Sequence, residues 1–329
     1  MNSKTNGRTP VPETDPAPRK EAAIASITHR LSASAGHGQL RGSPAAAPAR
    51  LLHLIICTDS PENLGAVLRG AALQSRAPDS LSVAVDGEDP RITGICRTHA
   101  LNTGRRIRLT QRRAHGITRL SQSRNNAVRT LFATGVKHGI LLFIDGDIVL
   151  DPETIETHAA LFEPGHLAIA GRIHLDRAQT AAHLATGAFP GRSELVAEQR
   201  RLRAMHRRTN RSIWLRRLGL SRAHKPDIIG AHFAMDIETF ARVNGFDENF
   251  RGDGCEDEDF ARRAYATGAR PQNLILRTRA FRLFHETRSA SRPADNSSGV
   301  RFRRMSLKPV CDAGLRTPFS QNQPHIQVL

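Results

Sequence analysis

Residues 140–147 read Ile-Leu-Leu-Phe-Ile-Asp-Gly-Asp, and this stretch decides the fold. Its apolar part, Ile140 to Ile144, is typical of a strand that is buried on both faces of a parallel sheet. The apolar run ends in Asp145-Gly146-Asp147. In open α/β sheets, ligands bind beyond the carboxyl ends of the strands. The stretch therefore predicts a central strand with a candidate ligand site at its end.

The residues before this stretch form a strand, helix, strand pattern. Leu51 to Cys57 is a continuous apolar run, Glu62 to Gln74 places apolar residues at helical spacing, and Leu81 to Val85 is another apolar run. Such a unit has a right-handed crossover and parallel strands. Further predicted elements are strand 107–110, helix 121–136, helix 152–162, strand 167–173, helix 192–217, strand 230–235, helix 236–243, a helix that ends near residue 267, and strand 281–285. We therefore predict an α/β, Rossmann-like fold with a mostly parallel central sheet flanked by helices, in a single domain over residues 51–287.

Charge is distributed unevenly along the chain. The 329 residues carry 48 Lys and Arg against 31 Asp and Glu, a formal charge of +17. Residues 1–50 contribute +4, residues 191–225 contribute +9 and residues 288–329 contribute +5, which leaves −1 for the remainder. A nearly neutral body argues against nucleic acid as the main partner. Both terminal segments lack periodicity, so we predict a disordered N-terminal tail over 1–50 and a basic, mobile C-terminal tail over 288–329.

Residues 191–225 include a predicted amphipathic helix that is rich in arginine. Its apolar residues, Leu195, Leu202, Met205 and Ile213, fall near one face, and arginines crowd the remainder. Three interpretations stay open: a solvated helix face packed on the body, a surface that contacts an anionic membrane or an anionic acceptor, and a nucleic-acid contact.

The sequence shows no recognisable signal peptide or membrane-spanning segment. The first 30 residues lack the apolar segment of a signal peptide, and no run of about 18 apolar residues occurs. The four cysteines lie far apart, which predicts reduced thiols. We therefore expect a cytoplasmic protein. Peripheral binding to the inner face of the membrane is compatible with this expectation.

Two acidic motifs offer chemistry. Asp145-Gly146-Asp147 supplies oxygen ligands that suit Mg²⁺ or Mn²⁺ together with diphosphate oxygens, although it is also ordinary turn chemistry. Residues 256–259, Glu-Asp-Glu-Asp, begin a predicted helix, where acidic residues stabilise the helix dipole without catalysis. Four adjacent charges also repel, which favours a nearby cation, a substrate hydroxyl or a general base with a raised pKa. His285, at a predicted strand end, is either structural or a metal ligand.

In combination these features resemble the family 2 glycosyltransferases with the GT-A fold, and the later half resembles the galactosyltransferase-type C-terminal region found in many of them. The resemblance covers residues 51–287. Its parts, in family order, are Leu51 to Thr58 as first strand, Val83 to Gly87 as nucleotide-binding strand end, Gln122-Ser123-Arg124-Asn125-Asn126-Ala127, Asp145-Gly146-Asp147 as the DxD motif, and Gly245-Phe246-Asp247-Glu248 followed by Glu256-Asp257-Glu258-Asp259.

The resemblance implies a donor site in residues 51–150 and an acceptor half in 151–287. The residues that would contact the nucleoside of a sugar nucleotide are Thr58, Asp86 and Arg124. Asp145 would face the ribose and the metal, and Asp147 and His285 would complete the protein ligands of a divalent Mn²⁺ or Mg²⁺.

On the acceptor side, Asp257 matches the family's catalytic base and Glu256 the neighbour that orients the acceptor. The implied enzyme is a hexosyltransferase-type, metal-dependent, inverting glycosyltransferase. It would move a sugar from a nucleotide-diphosphate donor, expected to be UDP-linked, to a hydroxyl of a carbohydrate or lipid-linked acceptor in polysaccharide or glycolipid synthesis. Asp253-Gly254-Cys255 stands where the family often has Trp-Gly-Gly, so this motif does not identify the acceptor.

Two other functions compete with this one. A catalytically inactive, glycosyltransferase-like basic protein would use its arginines to bind a membrane surface or nucleic acid. A nucleotidyltransferase on a related sheet would need a Gly-rich phosphate loop after the first strand, where this chain has Thr58-Asp59-Ser60-Pro61-Glu62.

Overall fold

The computed structural model describes residues 50–113, 116–228, 230–252, 254–286, 301–302, 306–320 and 322–329. Apart from Arg50, the predicted N-terminal tail lies outside the described residues. The strands are β1 (Leu52–Thr58), β2 (Ser80–Val85), β3 (Ile107–Arg112), β4 (Ile140–Asp145), β5 (Ile148–Leu150), β6 (His166–Ile169), β7 (Ile173–His174), β8 (His232–Asp236), β9 (Arg270–Asn273), β10 (Ala280–Arg282) and β11 (Pro324–Val328). The helices are α1 (Leu64–Ala72), α2 (Pro90–Thr103), α3 (Leu120–Ala133), α4 (Thr154–Leu161), α5 (Arg177–Thr186), α6 (Val196–Arg217), α7 (Ile237–Arg242) and α8 (Glu256–Ala266).

Eight strands form the central sheet, in the order β11-β3-β2-β1-β4-β8-β6-β9. The pairs β1–β2, β2–β3, β1–β4 and β6–β9 are parallel, and the other three pairs are antiparallel. A second sheet has the order β5-β10-β7. The predicted α/β class with a mostly parallel central sheet flanked by helices is confirmed.

The apolar runs of the sequence occupy the middle of this sheet. β1 and β4 are neighbours in register, with Leu54 opposite Leu142, and every residue of β1 is buried. Five of the six residues of β4 are buried, and the sixth is Asp145 at its carboxyl end. Burial on both faces explains why these two strands read as continuous apolar runs rather than as alternating patterns.

A cluster of phenylalanines fills the core beside β4. The rings of Phe143 and Phe233 stack with centroids 4.8 Å apart, and those of Phe246 and Phe260 stack at 4.2 Å. Phe240 packs against both pairs. Aromatic pairs of this kind contribute about 0.5–1.5 kcal/mol each beyond their burial. The cluster therefore ties β4 and β8 to α7 and α8. The two acidic motifs lie at the end of β4 and at the start of α8.

The prediction of a mobile tail over 288–329 is wrong for the residues that the structure describes there. β11 pairs antiparallel with β3 at the edge of the sheet, with His325 opposite Gln111. Cys311 and Leu315 are buried. The strand is mostly exposed and has no continuous apolar run, so its hydrophobic pattern gave no signal. Backbone pairing with a neighbouring strand, and not burial of a periodic face, stabilises it.

The Arg-rich segment forms α6, which follows a 3-10 turn at Arg192–Leu195. Of its predicted apolar face, Leu195 and Leu202 are buried against the body. At the other end of the helix, Trp214 is 59% exposed and Leu220 is 70% exposed. No helix in the described part of the chain has the length and apolar character needed to cross a membrane.

Candidate active site

The carboxyl ends of three adjacent parallel strands bring together residues that are distant in sequence. The backbone N–H of Asp86, just after β2, donates to the carbonyl of Thr58 at the end of β1 over 2.8 Å. The N–H of Gly146, just after β4, donates to the carbonyl of Cys57 over 2.6 Å. A Cβ atom on Gly146 would lie 2.5 Å from the Thr58 hydroxyl oxygen, so only glycine fits here.

Arg124 lies at the centre of the acidic residues. Its Nη1 donates to Asp257 Oδ1 over 2.8 Å and reaches Glu256 Oε1 at 3.4 Å, and its Nη2 lies 4.0 Å from Asp145 Oδ1. Its side chain is 2% exposed. The predicted DxD motif and the predicted catalytic acids thus share one buried cation.

The ring of Phe246 and the side chain of Asn125 hold Arg124 in place. The guanidinium lies over the Phe246 ring, 4.8 Å from its centroid. Asn125 donates to the Phe246 carbonyl over 2.8 Å and accepts from the Phe246 N–H over 2.9 Å. A Cβ atom on Gly245 would lie 2.4 Å from Asn125 Oδ1. The Gly245-Phe246 motif therefore positions α3, and with it Arg124.

Burial sets the proton affinities in this cluster. It raises the pKa of Asp145 to about 6, helped by the charges of Asp147 and Asp257 and opposed by Arg124. It also raises the pKa of Glu256 to about 7, with Asp257 adding to the effect. Burial disfavours the charged form of Arg124, but Asp257 and Glu256 outweigh it and raise the pKa of Arg124. A cationic arginine among carboxylates is the stable arrangement.

Two acids in the first turn of α8, Glu256 and Asp257, differ in their exposure to solvent. The Asp257 side chain is 24% exposed, whereas that of Glu256 is 9% exposed and accepts a hydrogen bond from the Gly254 N–H over 3.1 Å. A Cβ atom on Gly230 would lie 2.0 Å from Asp257 Oδ2, so the backbone of Gly230 is packed against the carboxylate. Of these two acids, Asp257 is the one within reach of a substrate.

The second predicted metal ligand lies in a separate group of charges. Asp147 Oδ2 is 3.0 Å from His285 Nδ1 and accepts from Arg282 Nε over 2.9 Å. Asp147 Oδ1 is buried and has no hydrogen-bond partner among the described residues. A buried carboxylate oxygen without a partner beside an imidazole fits a divalent cation that also takes diphosphate oxygens. In the described part of the chain, no three His, Cys, Asp or Glu side chains converge as a complete metal site.

Asp86 is engaged by two arginines. Arg112 Nε donates to Asp86 Oδ1 over 2.7 Å, and the backbone N–H of Arg119 donates to Oδ2 over 2.6 Å. The Asp86 side chain is 1% exposed, and burial raises its pKa. The hydroxyl of Thr58 is also occupied, because it donates to the Ser60 carbonyl over 2.7 Å.

The predicted residues thus form two contacting groups. Arg124, Asp145, Glu256 and Asp257 form the first group. Asp147 and His285 form the second. Thr58 and Asp86 lie on the adjacent strand ends. The main difference from the sequence-based expectation concerns Arg124: its described contacts are to acids of the site, and its burial leaves little surface for a nucleoside.

Sequence reasoning missed Arg112, Arg282 and Gly230. Val85 pairs with Gln111 in the parallel register of β2 and β3, so the next residues, Asp86 and Arg112, end their strands side by side. An acid and a base at the ends of two neighbouring parallel strands could therefore have predicted the ion pair of Asp86 with Arg112. For Gly230 no local signal exists, because only the packing of Asp257 against it excludes a side chain.

A comparison of the sequence with protein families assigns the chain to one of them. The sequence model described as "Glycosyltransferase like family 2" matches residues 48–270, and the chain belongs to this family. The predicted resemblance to the family 2 glycosyltransferases is therefore confirmed. No similar sequence is found among curated proteins.

Three solved structures that match the chain do so at low sequence identity. The crystal structure of S. aureus TarS is 14% identical, with a TM-score of 0.46 over 71% of this chain and 37% of that chain. The mannosyltransferase PcManGT from Pyrobaculum calidifontis, in complex with GDP-Man and Mn²⁺, is 13% identical, with a TM-score of 0.47 over 81% of this chain and 65% of that chain. GalNAc-T7 with UDP, GalNAc and Mn²⁺ is 12% identical, with a TM-score of 0.47 over 72% of this chain and 44% of that chain. The chain thus spans less than two thirds of the length of each.

Proposed function

We propose that this family 2 glycosyltransferase is a metal-dependent, inverting enzyme that moves a sugar from a nucleotide-diphosphate donor, UDP-linked, to an acceptor hydroxyl. The acceptor is proposed to be a carbohydrate or lipid-linked glycan in polysaccharide or glycolipid synthesis, held by a galactosyltransferase-type half over 151–287. The observation that carries this proposal is the ion pair of Arg124 with Asp257 within 4.0 Å of Asp145. It brings a candidate base to the edge of the sheet where the DxD motif ends.

Asp257 is proposed as the general base. Its carboxylate takes the proton from the acceptor hydroxyl while that oxygen forms a bond to the anomeric carbon. The bond from the anomeric carbon to the diphosphate oxygen breaks on the opposite face, so the configuration inverts and the nucleoside diphosphate leaves. Arg124 and the backbone of Gly230 orient the carboxylate, and Glu256, largely buried beside it, supports the position of the acceptor.

Asp147 and His285, together with Asp145, are proposed to hold Mn²⁺ or Mg²⁺, which would supply charge neutralisation for the leaving diphosphate. Arg282 shares the same Asp147 oxygen with His285. The guanidinium of Arg282 adds a positive charge beside the proposed divalent cation. Thr58 is proposed to lie against the nucleoside at the end of β1. Asp86, whose carboxylate is bound by Arg112 and by the Arg119 N–H, is proposed to shape the nucleoside site from the end of β2.

Calorimetric titration of UDP in the presence and absence of Mn²⁺ tests the donor site. We expect Mn²⁺-dependent binding by the wild type and a loss of at least about tenfold in affinity for Asp147→Ala, because a ligand to the cation is removed. Asp312→Ala, on an exposed side chain, serves as the matched control and should bind like the wild type. Undiminished UDP binding by Asp147→Ala would reject the assignment.

The base is tested separately. Asp257→Asn keeps the shape of the side chain but removes its basicity, so transfer should fall by at least about a hundredfold while UDP affinity stays nearly unchanged. A screen of nucleotide sugars for Mn²⁺-dependent thermal stabilisation identifies the donor to use. Retained turnover by Asp257→Asn would show that another group accepts the proton.

The competing function is a catalytically inactive scaffold that binds anionic surfaces or nucleic acid through its arginines. It predicts salt-sensitive binding to duplex DNA or RNA without any binding of sugar nucleotides. The same titrations decide between the two, since Mn²⁺-dependent UDP binding is expected of the enzyme alone.

A further inference from the structure

A cavity of about 360 Å³ lies between the start of α6, β7 and the segment that leads into β10. Its apolar wall includes Leu195 and Leu202, which are both buried against the body. The cavity lies outside the group formed by Asp145, Arg124 and Asp257, because none of these residues lines it. It is therefore a second concave site of the domain.

Four arginines line this cavity: Arg172, Arg192, Arg203 and Arg279. Among the described residues, no acidic side chain lines it. Arg279 lies 3.6 Å from the carboxylate of Asp151, but the other three form no ion pair with any described carboxylate. The nearest acid on α6, Glu198, is bound by Arg201 and by the backbone N–H of His174. The lining of the cavity therefore carries an excess of positive charge.

Arg172 carries the strongest sign of a missing partner. Its Nε and Nη1 atoms are fully buried and have no hydrogen-bond partner among the described residues. Burial lowers the pKa of Arg172, and the charges of Arg282 and Arg201 lower it further against the attraction of Asp145 and Asp147. Buried polar atoms without partners are costly, and Arg172 is therefore a strained cation beside the cavity, where a bound anion would offset its charge.

The position of α6 fixes the cavity. A Cβ atom on Gly171 would lie 3.0 Å from Leu202 Cδ2 and 2.9 Å from the Ile275 carbonyl oxygen, so the helix packs directly on the backbone next to Arg172. This packing sets the position of the start of α6, which carries Arg203, relative to Arg172. Arg172 is partly buried, whereas Arg192, Arg203 and Arg279 are exposed at the rim of the cavity.

We propose that this cavity binds a phosphate ester. Arginine is suited to phosphate because its planar guanidinium donates several hydrogen bonds in a fixed geometry. A phosphate monoester carries close to two negative charges at neutral pH and accepts through three oxygens. Three arginines without a carboxylate partner are sufficient to offset that charge, and the organic part of the ester would lie against the apolar wall of Leu195 and Leu202. The site goes beyond the proposed donor site and does not depend on it.

Calorimetric titration of the full chain with glycerol 3-phosphate tests the proposal, with inorganic phosphate and glycerol as the parallel probes. We expect binding of glycerol 3-phosphate and none of glycerol. Arg203→Gln should weaken the binding about tenfold, because one charged hydrogen bond is lost. Arg208→Gln is the matched control, since both arginines are exposed on α6 and only Arg203 lines the cavity.

Further arms separate this site from the donor site and from a membrane. Asp147→Ala should still bind glycerol 3-phosphate, and a loss of binding in this variant would overturn the proposal by placing the anion at the DxD motif. Equal weakening by Arg203→Gln and Arg208→Gln would overturn it in favour of diffuse surface charge. Binding to phosphatidylglycerol vesicles without binding of either soluble phosphate would also overturn it. Tighter binding of the ester than of inorganic phosphate supports the role of the apolar wall, and equal binding of the two would contradict that role.

Discussion

Arg124 and Asp257 are joined by a hydrogen bond of 2.8 Å that links α3 to the first turn of α8. Replacing Arg124 by Gln leaves Glu256, Asp257 and Asp145 without their shared cation. Removing one partner of a buried ion pair typically costs about 3–5 kcal/mol, and we expect a loss of this size in the free energy of unfolding. Urea unfolding measures it. Arg97→Gln on the exposed face of α2 is the control and should change stability by less than about 0.5 kcal/mol.

Gly230→Ala should impair catalysis more than folding. The added Cβ would lie 2.0 Å from Asp257 Oδ2 and must displace the carboxylate. Small misplacements of a catalytic group cost about a hundredfold in rate, so we expect a loss of this order in kcat with a modest change in donor affinity. Gly94→Ala in α2 is the control, because nothing lies within 4 Å of its Cβ position. Wild-type kcat in Gly230→Ala would argue against Asp257 as the base.

Glu256 predicts a pH dependence of stability. Burial raises its pKa from 4.5 to about 7, so the folded state binds this proton more tightly than the unfolded state does. The resulting stabilisation is complete below pH 4.5 and is lost as the pH rises through about 7. The stability of the wild type relative to Glu256→Gln should therefore fall between pH 5 and pH 8, by up to about 3 kcal/mol. Urea unfolding of both proteins at several pH values measures this difference, and a constant difference would contradict the shift.

Asn322 anchors the segment that leads into β11. Its amide exchanges hydrogen bonds with Asn126 over 2.9 and 3.0 Å and donates to the buried carboxylate of Glu248 over 3.0 Å. Asn322→Ala leaves buried polar groups without partners, so we expect a loss of about 1–3 kcal/mol in the free energy of unfolding. Gln323→Ala, at the exposed neighbouring position, should have little effect. Hydrogen exchange of the β3 amides should rise in the first variant and not in the second.

The end of α6 predicts contact with an anionic membrane. Trp214 is the single tryptophan of the chain and is 59% exposed near Leu218 and Leu220, in a helix rich in arginine. Such a combination favours the interface of an anionic bilayer. Vesicles of phosphatidylglycerol should shift the Trp214 fluorescence to the blue, and salt should weaken the effect. An equal shift with neutral phosphatidylcholine vesicles would remove the electrostatic part of this prediction.

The sequence predicted the elements whose burial produces a simple pattern. β1 and β4 are buried on both faces, so their apolar runs and the Asp145-Gly146-Asp147 motif after β4 were visible. The role of Arg124 was not, because its partners lie 132 and 133 positions away and its burial depends on the packing of α3 against α8. β11 was missed for a related reason, since an exposed edge strand has little hydrophobic signal.

The pairing of β11 with β3 has a consequence for the order of folding. Asn126 and Asn322, which fasten the same segment, are separated by 196 positions. Closing so long a loop carries a large entropic cost before any contact is gained, so such pairings form late. Until then β3 is an open edge with unpaired N–H and C=O groups, and edges of this kind pair with other chains. The newly made protein is therefore most exposed to aggregation in the interval before this last strand is added.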